Sequence, residues 1–371
     1  MKNLLKFVTW PTIAGLLAAV LILDRLIPLQ GELPGKQAST VSSYAPAVRI
    51  ASPSVVNIYT AKLVTANYNP LLHDRMIQSS APAKNHRQRV ERSLGSGVIM
   101  SENGYVLTNN HLIADADAIQ VLLQDGRSSR ATVIGKDTAT DLAVLKIQLD
   151  DLHPMTPGNP DTARVGDIVL AIGNPLGFGH TVTQGIISAL GRYGLQSKTY
   201  ENYIQTDATI HQGNSGGALI DTQGQLLGTN TLTFAPGTNA TSTQSASGIS
   251  LAIPVDIALF VMQDLINYGE VIRGWLGVRV KPIRKSATDN YQDQALLVDM
   301  ITPASPAQKA GIAVGDIITH INDEEVRDGR LTMHQIALLR PGDSIAVTVL
   351  RNKQSLDLYA VVGTQAQSRV N

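Results

Sequence analysis

The chain has 371 residues, 43% hydrophobic and 16% charged, enough apolar content to bury real cores and enough length for two or three domains. Lys plus Arg and Asp plus Glu are equal at 30 each, which removes the electrostatic case for nucleic acid or an anionic membrane surface as a partner. With no cysteine, disulfides, thiol catalysis and thiolate metal sites are excluded, although that absence names no compartment.

The N-terminus is more informative. FVTWPTIAGLLAAVLIL, from Phe7 to Leu23, is 17 residues without a charge, and Leu4 and Leu5 extend it past Lys6, whose stem can carry its ammonium to an interface. As a helix this run covers about 26 to 30 Å, against a hydrocarbon core of roughly 30 Å. It therefore predicts one membrane crossing. Lys2 and Lys6 before it, with Asp24 and Arg25 behind, predict a cytoplasmic N-terminus and export of everything after Arg25. A cleaved signal peptide is the rival, but DRLIPLQGELPG lacks the small-x-small pattern of a cleavage site. A Pro, Gly and Ser-containing stretch, Pro28 to Ser43, follows as a linker.

Beyond the linker the chain is predicted to be mainly β. Ser54–Tyr59, Ser96–Met100, Gly104–Asn109, Ile119–Leu123, Leu142–Ile147 and Asp167–Gly173 are short apolar segments separated by Gly, Asn and Asp turns. Val255 to Leu265, opened by Pro254, is the best helix candidate. Many closely spaced strands predict a barrel or sandwich. Ala61 to Arg92 is polar and without strand alternation, and reads as a long mobile loop.

HQGNSGGAL, from His211 to Leu219, crowds three glycines and an asparagine around Ser215. A turn or a surface loop would account for this, and so would a nucleophile whose backbone must approach a substrate. A nucleophilic serine needs a base, a carboxylate to hold that base, and N–H donors for an oxyanion. His111 ends the segment YVLTNNH, Asp141 precedes the strand LAVLKI, and Ser215 comes third. That chain order is the one found in chymotrypsin-type barrels. Gly213 can aim its N–H and that of Ser215 into one pocket, while Gly216 and Gly217 let substrate approach without a Cβ in the way. His211 lies on the same tight loop as the serine and is a poor base. Asp137 reads as a solvated or capping turn residue, and Asp207 as a support for the nucleophile loop. The eight histidines show no metal-ligand spacing and there is no Walker loop, so neither metal nor nucleotide cofactor is expected.

The blocks SLGSGVIM, GYVLTNNH, TDLAVLKI, GDIVLAIGNP, TQGIISALGR, QTDATIHQGNSGGALID and GISLAIP resemble the HtrA family of bacterial envelope serine proteases, from about Tyr44 to Gly269. The resemblance implies a chymotrypsin-like pair of six-stranded barrels, with His111 as general base, Asp141 as its orienting carboxylate and Ser215 as nucleophile. Gly213, Asn214 and Ser215 would form the oxyanion loop. From Arg273 onward RGWLGVRV, SPAQKAG and GDIITHIN resemble a PDZ domain, a fold that binds a peptide C-terminus by strand addition. Trp275, Leu276, Gly277 and Val278 then occupy the carboxylate-binding loop, with the N–H groups of Leu276 and Gly277 receiving the anion; Trp275 also reads as a core anchor.

The expected division is 1–27 cytoplasmic start and anchor, 28–43 linker, 44–269 protease domain and 270–371 a single PDZ domain. One PDZ domain and a retained anchor resemble the membrane-tethered stress-sensing branch of the family more than its soluble two-PDZ branch. That implies a homotrimer in the inner membrane with its catalytic part in the periplasm. C-terminal peptides of misfolded outer-membrane proteins would activate it, Arg192 would relay the signal, and an anti-sigma factor of the RseA type would be the substrate, starting the sigma-E response. Three features depart from that branch. His211 and Gln212 stand in the nucleophile loop where the family differs, Leu176 replaces an expected tyrosine, and Ala61 to Arg92 resembles the longer loop of soluble members.

Overall fold

The computed structural model describes residues 12, 14–19, 43–65, 88–174, 179–192, 200–211, 213–233, 249–284, 294–326 and 329–364. It divides into two units, Met1–Ser43 and Tyr44–Asn371. In the first, Thr12 and residues 14–19 are helical and exposed, and no helix among the described residues is long and apolar enough to cross a membrane. The rest of the expected anchor, most of the linker, Leu176 and Gln212 lie outside the described residues.

The second unit opens with α1 (Ala45–Ala51), which carries proline in its first turn and packs Ala47 and Ala51 into the core. Seven strands follow: β1 (Val55–Thr65), β2 (Gln88–Ile99), β3 (Tyr105–Asn109), β4 (Ala118–Leu122), β5 (Ser128–Arg130), β6 (Thr132–Asp137) and β7 (Leu142–Lys146), with α2 (Asn110–Ile113) after β3. They form one antiparallel sheet in the order β5-β4-β1-β2-β3-β7-β6. The count is seven instead of the six that the resemblance implies. The end strands β5 and β6 are separated only by Ala131, whose N–H donates to Ile119 O at 3.0 Å, so the two ends meet around a core of Ile58, Ile99, Val106, Val121 and Leu145. In effect a single bent segment is broken in two at Ala131.

The expected loop from Ala61 to Arg92 is corrected at both ends. β1 continues to Thr65 and β2 begins at Gln88, paired in register from Ala61 with Arg92 to Thr65 with Gln88. Leu63 and Val90 on this extension are about half exposed. None of the described side chains of this extension is buried, so the pairing leaves no alternation there for the sequence to show.

β8 (Ile168–Gly173), β9 (Thr181–Arg192), β10 (Tyr203–Thr206), β11 (Ala218–Ile220), β12 (Leu226–Thr233) and β13 (Ser250–Pro254) close a six-stranded barrel in the order β10-β13-β12-β11-β8-β9. The helix α3 (Val255–Tyr268) leaves β13 directly at Pro254 and ends at Gly269, whose φ of 77° lets its N–H return to Leu265 O. Ile257, Ala258, Val261 and Leu265 on its buried face pack with Leu107, Leu142 and Val144 of the sheet and with Leu251 and Ile253 of the barrel. Burying Val261 or Leu265 contributes about 1.5–3 kcal/mol apiece, so this helix seals the seam between sheet and barrel.

The remaining strands are β14 (Gly274–Trp275), β15 (Val278–Arg284), β16 (Gln294–Ile301), β17 (Ile317–Ile321), β18 (Glu324–Glu325), β19 (Ser344–Arg351), β20 (Gln354–Val361) and β21 (Gly363–Thr364), with helices α4 (Pro306–Lys309) and α5 (Gly329–Leu338). Their sheet runs β15-β16-β17-β19-β20 around a separate core of Leu276, Val298, Ile318, Val347 and Val349, leaving β15 at an edge. Two ion pairs join this sheet to the preceding part. Arg273 Nη2 meets Asp137 Oδ2 at 2.5 Å, and Arg340 Nη1 meets the fully buried Asp264 at 2.6 Å. His334 of α5 faces the same junction, lining a cleft with Thr140, Tyr200, Phe260 and Arg273. It is 7% exposed with neither ring nitrogen bonded among the described residues.

Arg340 is partly exposed but Asp264 is fully buried, so removing the cation leaves a buried charge without its counterion and Arg340→Ala should lower stability, read as an earlier midpoint in urea; an unchanged midpoint would show the pair contributes nothing. Burial lowers the pKa of His334, and also that of His180, whose Nε2 lies 2.9 Å from Val55 O. Both sites favour the neutral ring when folded. Their contribution is therefore complete above about pH 6.5 and is lost as pH falls from there through the depressed folded values. Substituting His334 by Gln should flatten the fall in melting temperature below pH 6.5, and an identical acid limb in the variant would contradict this.

Candidate active site

The site is assembled where the sheet meets the barrel. β3 ends at Asn109 and the chain turns at once into α2, which puts His111 on a rigid corner with its side chain 44% exposed. Asp141 enters β7 with φ 65°, a left-handed conformation that few non-glycine residues adopt. Several bonds hold it there. Its carbonyl accepts Asn110 N–H at 2.9 Å and Asn109 Nδ2 at 3.2 Å, and its Oδ1 accepts His111 N–H at 3.0 Å. The strained residue is thus pinned by the corner it must address.

The other carboxylate oxygen, Oδ2, lies 2.7 Å from His111 Nδ1. An ionised carboxylate only accepts, so Nδ1 carries the proton and Nε2 is left with its lone pair to accept one. Asp141 is 2% exposed, which keeps water from competing for the bond. Burial pushes the phenol of Tyr203 above its ordinary pKa, with the nearby charges of Glu201 and Asp141 adding to the effect, so it stays neutral beside the carboxylate.

Thr231 on β12 links this pair to Ser215. Its hydroxyl donates to Asp141 Oδ2 at 3.4 Å, and its carbonyl accepts the Ser215 hydroxyl at 2.6 Å. The three residues read from the sequence are therefore brought to one place, with the serine proton on Thr231 O and no bond from it to His111 among the described residues. Thr231 itself was missed by the sequence reading. Its only signal was a threonine in the TNTLT run of an otherwise apolar strand.

The loop carrying Ser215 is a chain of tight turns. Asn214 N–H donates to His211 O at 2.9 Å, Gly217 N–H to Asn214 O at 3.0 Å, and Gly216 N–H to Asn230 O at 2.8 Å. Gly213 has φ 99° and Gly216 φ 81°, and a Cβ on Gly216 would stand 2.1 Å from Ser96 O. Among the described residues neither Gly213 N–H nor Ser215 N–H meets an acceptor, which leaves both donors available to an anion. Asn214 is fully buried. His211 is exposed and bonds to the loop through its carbonyl.

Two acidic residues need correction. Asp137 does cap, accepting Thr140 N–H at 3.1 Å and the Thr140 hydroxyl, but it is not solvated: it is 8% exposed and paired with Arg273, the residue before β14. Asp207, just after β10, accepts Ile186 N–H on its Oδ1 at 2.7 Å and so ties itself to β9, and it has no bond to the loop of Ser215 among the described residues. Arg192 ends β9, exposed, with Nε donating to Gln205 at 2.9 Å.

A second set of free donors lies at the edge strand β15. Leu276 is fully buried, and its carbonyl and that of Gly277 accept Ala307 N–H at 2.9 Å and Thr302 N–H at 2.8 Å. The N–H groups of Leu276 and Gly277 have no acceptor among the described residues. Gly277 has φ 79°, and a Cβ there would lie 2.3 Å from Ser305 Cβ. Trp275, half-buried, pairs with Gly363, and Val278 begins the edge strand opposite Ile301. Among the described residues no group of three or more His, Asp or Glu is arranged to hold a metal ion.

A trypsin-like peptidase domain model matches residues 95–228 and a PDZ domain model residues 274–361. The chain is 41% identical to the serine endoprotease DegS of Escherichia coli strain K12 over 97% of both chains, and 42% identical to that of Haemophilus influenzae over 87% of this chain and 88% of the relative. A probable periplasmic serine endoprotease, DegP-like, of Pseudomonas savastanoi pv. phaseolicola is 38% identical over 94% of this chain and 74% of its own length. Among solved structures, the HtrA-type protease AlgW with a tripeptide superposes with a TM-score of 0.70 at 46% identity, covering 87% of this chain and 98% of that one. With the geometry above, these matches make the chain a member of the HtrA family, a serine endopeptidase with a trypsin-like domain and one PDZ domain.

Proposed function

We propose that Ser215 is the nucleophile of this endopeptidase, His111 its general base and Asp141 the carboxylate that orients His111. The observation that carries the reading is the 2.7 Å contact of His111 Nδ1 with Asp141, joined through Thr231 to Ser215. In the reaction the serine hydroxyl leaves Thr231 O and turns to His111 Nε2, which takes its proton as the oxygen attacks the scissile carbonyl. The imidazolium that forms is stabilised by Asp141. Gly213, Asn214 and Ser215 form the oxyanion loop, with the N–H groups of Gly213 and Ser215 donating to the tetrahedral oxyanion. His111 then gives the proton to the leaving amine, and water attacks the acyl-enzyme by the reverse path.

The finer reading is that of a tethered sensor, with 1–27 as cytoplasmic start and inner-membrane anchor, 28–43 as linker, 44–269 as periplasmic protease domain and 270–371 as PDZ domain. Peptide C-termini of misfolded outer-membrane proteins add as a strand to β15, their carboxylate received by Leu276 and Gly277 N–H in the Trp275–Val278 loop. Docking shifts the population toward an active state, Arg192 takes part in the relay, and a homotrimer cleaves an anti-sigma factor of the RseA type to start the sigma-E response. Similarity to DegS over nearly the whole chain supports this. The DegP-like relatives support a second reading, a soluble periplasmic protease that degrades unfolded proteins.

One assay separates them. Full-length chain is mixed with the periplasmic domain of an anti-sigma factor, with and without a porin C-terminal decapeptide. Cleavage that requires the peptide supports the sensor, while peptide-independent digestion of unfolded protein supports the quality-control reading. Ser215→Ala should lower kcat by about a millionfold in either case, and retention of measurable turnover would remove Ser215 from its role. Gly277→Ala should abolish decapeptide binding in calorimetry, since the loop cannot keep its left-handed turn with a Cβ against Ser305; unchanged affinity would place the carboxylate elsewhere.

A further inference from the structure

The hydroxyl of Ser96 lies outside the residues proposed to do chemistry, yet it sits at the centre of the loop that carries them. Ser96 is in β2, flanked by Gly95 and Gly97, and is fully buried. Its Oγ donates to Gly213 O at 2.7 Å and accepts Asn174 N–H, from the end of β8, at 3.0 Å. Its backbone N–H donates to Ser215 O at 2.9 Å, and its carbonyl accepts the Thr108 hydroxyl at 2.8 Å. One residue of the sheet thus grips the barrel's nucleophile loop on both sides of Asn214.

Gly213 is the reason the grip matters. A glycine at φ 99° has no side chain to limit its ψ, so the orientation of the peptide that follows it rests on the bonds made at that peptide's two ends. Within the loop that peptide is held at its N–H end, where Asn214 N–H donates to His211 O at 2.9 Å, and Ser96 holds the carbonyl end. Asn214 is fully buried, and neither Nδ2 nor Oδ1 of its amide has a partner among the described residues. A hydroxyl has one proton, and Ser96 places it on Gly213 O while its lone pair takes Asn174 N–H. Gly216 allows the approach, since any Cβ there would strike Ser96 O.

We infer that Ser96 is a positioning residue for the oxyanion loop, its hydroxyl fixing the Gly213 carbonyl so that the Gly213 and Ser215 N–H groups stay aimed at one point. The inference rests on the proposed role of Ser215 and its loop. Ser96 touches neither substrate nor proton in transit. Its effect is confined to the transition state, because the oxyanion forms only there.

The test compares full-length wild type, Ser96→Ala and Ser215→Ala, with unfolded casein as substrate, a saturating porin C-terminal decapeptide, and a peptide boronate that adds to the active serine as a tetrahedral mimic. Active sites are counted by boronate titration, so turnover is expressed per competent site and partial unfolding does not enter. For Ser96→Ala, kcat per site should fall about 10²-fold, the scale of losing an oxyanion donor, with KM within about threefold and boronate affinity falling in parallel. A kcat per site within threefold of wild type overturns the inference, as does a loss carried by KM alone or accounted for by fewer competent sites. Ser215→Ala that still cleaves casein and binds boronate covalently overturns the nucleophile assignment instead, whatever Ser96→Ala does.

Discussion

Everything at this site depends on holding one carboxylate in an unfavourable backbone conformation. Asp141 sits at φ 65°, in the region where its Cβ crowds its own carbonyl, and it is nearly inaccessible to water. The cost is offset by bonds from the corner residues Asn109, Asn110 and His111, all from the segment the carboxylate must orient. Local strain and the geometry of the His111–Asp141 pair are thus the same feature. A residue that relaxed to ordinary strand angles would release the imidazole together with the corner.

That corner is useful only because the second half of the site is delivered to it from a different body of structure. The sheet supplies His111 and Asp141, the closed barrel supplies Ser215, and the cluster around α3 locks the two together with aliphatic side chains from both. Polar contacts then set the fine alignment. Thr231 spans from Asp141 to Ser215, and Ser96 reaches across from β2 to Gly213 and Asn174. Apolar burial fixes where the halves meet and hydrogen bonds fix how they face. The C-terminal sheet is connected by the two ion pairs Arg273–Asp137 and Arg340–Asp264, and Asp137 lies four residues before Asp141 on the same turn.

Much of this was legible in the sequence because its signals are local. The strand cores of β1, β3, β4, β7 and β8, the helix after Pro254, the glycines around Ser215 and the order of His111, Asp141 and Ser215 all lie in short windows where residue type and spacing carry the information. What escaped is tertiary. At the outer ends of β1 and β2 Leu63 and Val90 pair while about half exposed, so no burial period marks them. Asp137 looked solvated because its partner Arg273 lies 136 positions away. Ser96 and Thr231 looked like ordinary small polar residues in strands, since a hydroxyl's value depends on which carbonyl the fold sets before it. A small polar residue between two glycines in an apolar strand, as in GSGVIM, is the one sequence signal that pointed toward Ser96.

The central claim is that this chain has one activated serine and that His111 activates it. Full-length protein treated with a fluorophosphonate and mapped by peptide mass spectrometry tests it most directly. The account predicts one equivalent of label, on Ser215 alone, with the rate reduced at least a thousandfold in His111→Ala. Label on another serine, or undiminished labelling of Ser215 without His111, would contradict it.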